Sequence, residues 1–420
     1  MNLRLLLLYG SICLLVLLRV VLTPGPNPLP DGAHIKARVR LTTTPQIVFG
    51  KQQLSVTVRG QKITLIVPQY SGYTYGDLIE IDGSLKAKVL DSGKTVYSIY
   101  YPKIHLVQND TALPYRWAGF VRQKVEESYS RFLPADQAGL LMGIVFGING
   151  GVDKDLKTAF QVTGVTHVIA ASGMNVTLLA AFLLPILMKF LKRQHSLIVL
   201  ILVLAFYTVI SGMSASIVRA TLMASIGFIG LLVGRQRTGF ISFFLTGCIM
   251  LLITPTIWSD IGFELSFAAT AGMLLIRPIL PSFSQIPFVS IIEEDFSATI
   301  AAQITTLPIL IYYFHTLGLL AILVNALVLW TIAPMMVIGS VAAVIGLVST
   351  ALGGLISFVC LPLLLYFLFI IRVFASFTPT ITLTDLPLIL VIGYYLLLSG
   401  IILYLVKRKT SSAAKIRKSM

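Results

Sequence analysis

Charge is scarce in this chain: Asp, Glu, Lys and Arg make up 12% of its 420 residues, against 56% hydrophobic ones. With a mean hydropathy of +0.89, it falls outside the range of ordinary soluble globular proteins and reads as a polytopic membrane protein. Negative charge is scarcer still, with 17 Asp+Glu against 32 Lys+Arg and a net charge of +15. That balance fits anionic partners such as nucleic acid, or cytoplasmic loops biased to Lys and Arg, and the loops alone account for most of it. Cysteine is nearly absent: Cys13, Cys248 and Cys360 sit in separate apolar runs, without metal-ligand spacing or an evident disulfide partner. His34, His105, His167, His195 and His315 are scattered, with no HExxH grouping, and no GxxxxGK[ST] occurs. These absences argue against a metallohydrolase and against ATP hydrolysis. The expectation is a chain without cofactor or metal, and not an enzyme.

What is present is organised in blocks. Residues 1–22 carry Arg4, a long apolar run and Arg19, with no small-x-small cleavage site before Thr23-Pro24-Gly25-Pro26, and read as a retained transmembrane anchor. Residues 31–110 alternate apolar and polar positions in IKARVRL, QLSVTVRG, QKITLIVP, GDLIEIDGSLKAKVL and TVYSIYYPKIHLV. Five short strands in about 75 residues predict a small OB-like β-barrel, with a generic β-sandwich as the alternative. Residues 113–133 place Trp117, Phe120, Val121, Val125, Tyr129 and Phe132 at helical spacing among charges, which predicts an amphipathic helix on the membrane surface.

Apolar runs of spanning length then follow at 165–188, 196–211, 215–233, 239–253, 260–276, 296–314, 317–349, 353–374 and 387–406. With the anchor they make about ten membrane segments in a 134–406 membrane domain. Counting crossings from a cytoplasmic Arg4 puts Lys189, Lys192, Arg193, Arg235, Arg237, Arg277 and the basic 407–420 tail inside and the β domain outside. This holds if 317–349 crosses once. Its length, together with Pro334 and Asn325, predicts a broken or re-entrant helix there.

Polar residues at membrane depth are site candidates by default. Val152 to Leu179 holds His167, Ser172, Gly173 and Asn175; a second group, SGMSASIVRA, holds Arg219; a third, DIGFELSF, holds Glu264. Gln303 and Asn325 add uncharged groups. Small-residue helix contacts and an Arg219–Glu264 pair are the structural alternatives. An interior guanidinium also suits phosphate.

At these residues the sequence resembles the ComEC family of competence proteins. GVDKDLKTAFQVTGVTHVIAASGMNVTLL is similar to the family's hallmark segment, SGMSASIVRATLMA to its SG…VRA helix, and DIGFELSFAATAGMLLI to its GF-x-LSF helix. Asn175 departs from the pattern, standing where many members carry a second His. The resemblance implies a bacterial cytoplasmic-membrane channel for single-stranded DNA in natural transformation, with an OB-type domain outside. Larger members add a metallo-β-lactamase-like domain; this sequence ends in a short basic tail, so nuclease activity is not expected of it.

The implied partners are single-stranded DNA and the lipid bilayer, with a separate nuclease, a cytoplasmic DNA-translocating ATPase and a second copy of the chain left open. The implied path is His167, Ser172, Gly173, Asn175, Arg219, Glu264, Gln303 and Asn325. Single strands are held by basic grooves and aromatic stacking. The β domain offers Lys36, Arg38, Arg40, Arg59, Lys62, Lys86 and Lys88 with Tyr73 and Tyr75 for that task. Two rivals remain, a carrier of another anionic or lipid-linked substrate and a membrane-embedded hydrolase.

Overall fold

The computed structural model describes residues 3–23, 29–41, 46–48, 51–58, 60–68, 72–73, 75–89, 95–107, 113–148, 153–166, 172–235, 238–280, 287–314, 316–317, 320–377, 381–382 and 387–419. The first helix, α1 (Leu3–Leu22), packs against α8 (Gly239–Ile253) of the helical bundle. Seven strands follow: β1 (His34–Arg40), β2 (Gln46–Val48), β3 (Lys51–Val58), β4 (Gln61–Pro68), β5 (Leu78–Val89), β6 (Thr95–Tyr100) and β7 (Lys103–Leu106).

They form one sheet in the order β1-β5-β6-β4-β3-β2, with β7 also on β5. Every pairing is antiparallel except β4 with β6. The long strand β5 changes partners part-way. Leu78 to Ser84 face β1, Ile79 to Asp82 also face β7, and Leu85 to Val89 face β6. Gly83 marks the switch, where a Cβ would lie 2.7 Å from the Ile99 side chain, so only glycine lets the strand bend over its neighbour. β1 also packs on β3, curling the sheet towards closure. This order and the bent strand fit an OB-like barrel that is partly open. The alternation of the sequence carries it: Leu54, Val56, Ile63, Leu65, Ile79, Ile81, Leu85, Tyr97 and Ile99 all point inward and are buried. Two strands go beyond the five expected, because Tyr101-Pro102 turns the last run into β6 and β7 and a short β2 precedes β3.

The bundle is built on α3 (Ala135–Phe146), whose residues from Ala138 to Phe146 are all buried. Around it pack α2 (Leu113–Ser130), α5 (Gly173–Phe190), α11 (Ala321–Val348) and α13 (Leu361–Phe377). A helix apolar on every side belongs in a core. Its 12 residues are too few to announce a span, so it does not show as a separate segment in the sequence. α2 is amphipathic, with one face turned into the bundle. Ala118, Arg122, Val125, Ser128 and Tyr129 are buried against the bundle, while Trp117 and Phe120 stay exposed. α12 (Thr350–Phe358) presses on α2 through small residues; a Cβ on Gly353 would lie 2.5 Å from Gly346 Cα and from Ser128 Oγ. Such contact substitutes for a hydrophobic driving force that lipid cannot supply.

Among the described residues five helices are long and apolar enough to cross a membrane: Gly173–Phe190, Arg193–Ile210, Ala215–Leu232, Leu323–Val348 and Leu388–Leu405. α12 and α13, bent by 52° at their junction, make a sixth if taken as one span. Gly10–Leu22, Ala135–Phe146, Gly239–Ile253 and Ser297–Tyr313 are shorter apolar helices. The break expected at Pro334 is absent. α11 runs through it as one helix of 28 residues. Neighbouring helices re-satisfy the backbone that a proline frees, and the bend falls instead between α12 and α13. α14 (Leu388–Ser419) carries helix straight into the basic tail.

Candidate nucleic-acid interface and interior cation

Tyr100 and Tyr101 stand out of the sheet, 50% and 56% exposed. Each has a lysine over its ring, Lys86 Nζ at 5.5 Å and Lys51 Nζ at 5.3 Å. Tyr101 adopts φ 51°, a costly backbone state for a bulky residue. Its N–H, donated to the Ile66 carbonyl at 2.8 Å, holds it there. A cleft of about 410 Å³ beside them is lined by His34, Asp82, Gly83, Ser84, Lys86, Tyr100, Tyr101 and Lys103. Flat rings bracketed by cations provide both elements of sequence-independent single-strand binding.

The other sheet candidates divide. Lys36 and Arg38 share Glu80, at 3.7 and 3.3 Å, which the register explains by setting Arg38 opposite Glu80. Lys62 and Lys88 are exposed across from Thr57 and Val96. Tyr73 packs against the sheet core. Arg59 and His167 lie outside the described residues.

Tyr75 and Arg40 belong to a joint between sheet and bundle. Tyr75 is 5% exposed, so it has no free face for stacking on a base. The Arg122 guanidinium lies over its ring at 3.4 Å. The Tyr75 hydroxyl donates to the Val209 carbonyl at 2.6 Å, and Arg122 Nε donates to the Ile210 carbonyl. Both carbonyls end α6 (Arg193–Ile210), where the helix leaves acceptors unsatisfied and favours positive charge. Arg40 stacks on Tyr115 at 4.6 Å. Burial holds Arg122 down at about 10, partly offset by Tyr75 and Glu126. Burial likewise pushes the Tyr75 phenol up. Arg122 escaped the sequence reading, although a signal existed: it shares the 118, 122, 125, 129 stripe with buried apolar residues.

Inside the bundle, Asn175 is buried, with Nδ2 donating to the Ile144 carbonyl at 2.9 Å and Oδ1 accepting from Ser172 Oγ at 3.0 Å. It ties the start of α5 to the last turn of α3. Tyr207 donates to the next carbonyl, Val145, at 2.8 Å. The Asn175 amide is thus hydrogen-bonded within the protein frame.

Arg219, on α7 (Ala215–Leu232), is 7% exposed. Nη1 donates to the Ser266 carbonyl of α9 (Ile261–Leu275) at 3.0 Å, while Nε has no partner among the described residues. The expected Arg219–Glu264 pair does not form. Glu264 accepts from the Tyr313 hydroxyl of α10 (Pro287–Phe314) at 3.1 Å, because it and Ser266 stand roughly 200° apart around α9. Gly173 touches the guanidinium; a Cβ there would lie 2.6 Å from Nη2. Asn325 on α11 is buried with Oδ1 unpartnered among the described residues. Gln303, half-buried on α10, is not joined to the Arg219 group by any hydrogen bond.

A family model described as "Competence protein" matches residues 144–408, a stretch holding α5 to α13, Arg219 and Asn175. The chain belongs to the competence protein family. ComE operon protein 3 of Bacillus subtilis (strain 168) is 29% identical over 250 residues, a match taking in 58% of this chain and 31% of that protein. The chain thus spans under a third of the length of the curated relative it matches. No solved structure matches it. With its apolar helices, membership makes this a multi-pass membrane protein.

Proposed function

We propose that the chain takes up single-stranded DNA during natural transformation, receiving the strand on the outer sheet and passing it through the helical bundle. The observation that carries this reading is the pair of exposed tyrosines, Tyr100 and Tyr101, each under a lysine, beside an open cleft. A carrier of a small anion has no use for stacked rings on an outer surface; a strand of bases does. Membership of the competence family supports the same reading. The full arrangement is a cytoplasmic-membrane protein of about ten membrane segments, with the sheet outside and the basic end of α14 inside, following the distribution of Lys and Arg. The chain conducts and does not catalyse. A nuclease and a DNA-translocating ATPase act as separate partners.

The test is uptake of labelled DNA by cells deleted for this chain and complemented with the parent or with Tyr100→Ala/Tyr101→Ala. Deletion is expected to abolish uptake and the double variant to depress it strongly. Undiminished uptake after deletion overturns the reading. The purified full chain should bind oligothymidylate with an affinity that falls steeply as salt rises, whereas a small-anion carrier should not bind it at low salt.

A further inference from the structure

Arg219 carries a charge into the bundle and, among the described residues, meets no counter-charge. No carboxylate of the described residues lies within 4.0 Å of it, since Asp136 and Glu80 pair elsewhere and Glu264 faces Tyr313. An ion removed from water without a partner is costly and is rarely kept for architecture. One nitrogen, Nη1, is held by a carbonyl on α9, and Nη2 lies against Gly173, the first residue of α5. The backbone N–H groups of the first turn of a helix have no intrahelical acceptor and point outward along the axis, where a negative charge is favoured. Ser172 and Gly173 are only half-buried, so this end of α5 is open. Gly173 matters for what it lacks, because any side chain would occupy the place where guanidinium and helix end meet.

We propose that Arg219 and the first turn of α5 form an interior station for a phosphodiester. A guanidinium beside the N-terminal backbone of a helix, where the Asn175 N–H turns back to the Ser172 carbonyl at 3.2 Å and the N–H groups of Gly173 and Met174 precede it, matches two adjacent phosphate oxygens. One cation meets one singly charged phosphodiester, strong enough to replace hydration and weak enough to release. The backbone of a nucleic acid and the headgroup of a phospholipid share this chemistry. The assignment to a DNA strand rests on the proposed function; the station itself does not.

The experiment uses the full chain in a phosphate-free maltoside detergent, with Tyr100→Ala/Tyr101→Ala as the background so that the outer sheet does not contribute. Thermal unfolding is followed against oligothymidylate and, separately, phosphatidylglycerol, in this background and with Arg219→Gln or Gly173→Ala added. The expected result is a ligand-dependent rise in melting temperature whose half-saturation moves at least about tenfold higher in both variants. Ligand-free Arg219→Gln should melt no lower than its background, since it removes an unpaired buried charge. A response to oligothymidylate assigns the station to the strand. A response to phosphatidylglycerol alone keeps the station and overturns the DNA reading. Equal responses in the background and both variants, or no response to either ligand, overturn the station and leave DNA binding to be decided by the Tyr100–Tyr101 measurement.

Discussion

On the sheet, several cations come with company: Lys36 and Arg38 share Glu80, and Lys86 and Lys51 lie over tyrosine rings. In the bundle, Arg219 has one carbonyl and, among the described residues, no acid. The difference is one of solvent. Water screens the sheet charges, so each pair contributes little and the surface tolerates many of them. The bundle excludes water, and there an unpaired guanidinium has a large effect on what can approach. Arg122 stands between the two regimes. It is buried like Arg219, yet a helix-end carbonyl and a tyrosine ring hold it, so it acts as a clamp where Arg219 is proposed to meet a ligand.

The comparison can be broken at its hinge first. Arg122→Ala should lower stability by about 3 kcal/mol, losing a charge-assisted hydrogen bond and a desolvated cation–π contact, and should expose the sheet–bundle joint to protease. Arg122→Lys should recover only part of this, since an ammonium cannot stack as a plane. Thermal unfolding and limited proteolysis of the purified chain read both. A loss in Arg122→Ala no greater than that of a surface substitution would remove the distinction between clamp and open cation. Next in size, Asn175→Ala should cost about 1–3 kcal/mol by leaving the buried Ile144 carbonyl without its donor. If unfolding is unchanged and only DNA uptake falls, Asn175 belongs to the path and not to the frame.

On the sheet the effects are smaller and concern binding. Tyr100→Ala/Tyr101→Ala should weaken oligothymidylate binding by about 1–3 kcal/mol per stacked base while the melting temperature holds. Lys86→Gln should reduce the slope of log affinity against log salt by about one unit. Smallest of all, Lys36→Gln should leave affinity within about 0.5 kcal/mol of the parent, because Glu80 already offsets that charge. A loss equal to that of Lys86→Gln would extend the interface onto β1.

The strands were readable because each alternates apolar and polar residues with the period of a pleated sheet, and Leu54, Ile63, Ile79 and Ile99 are buried as that period requires. Long apolar helices were readable for the same kind of reason, since lipid demands length and leaves few alternatives. The break assigned to Pro334 was misplaced, because proline marks where a helix can yield and its neighbours decide whether it does. The site was only half legible. Arg219 and Gly173 were visible as polar or small residues in an apolar setting, but which of the tyrosines of the β domain emerge into solvent was not. Tyr75 and Tyr100 are alike in sequence context. Tyr75, just before β5, lies under Arg122, whereas Tyr100, the last residue of β6, stays in solvent.

Composition and periodicity alone therefore determined that this chain is a membrane bundle preceded by a sheet, since transfer of apolar surface and satisfaction of backbone hydrogen bonds depend on local pattern. Only the tertiary structure decided that Arg219 lacks Glu264, that Asn175 serves α3, and that Arg122 clamps α6. Partners of a polar group are distant in sequence, and the roughly 200° that separates Glu264 from Ser266 around α9 selects which neighbour each one meets.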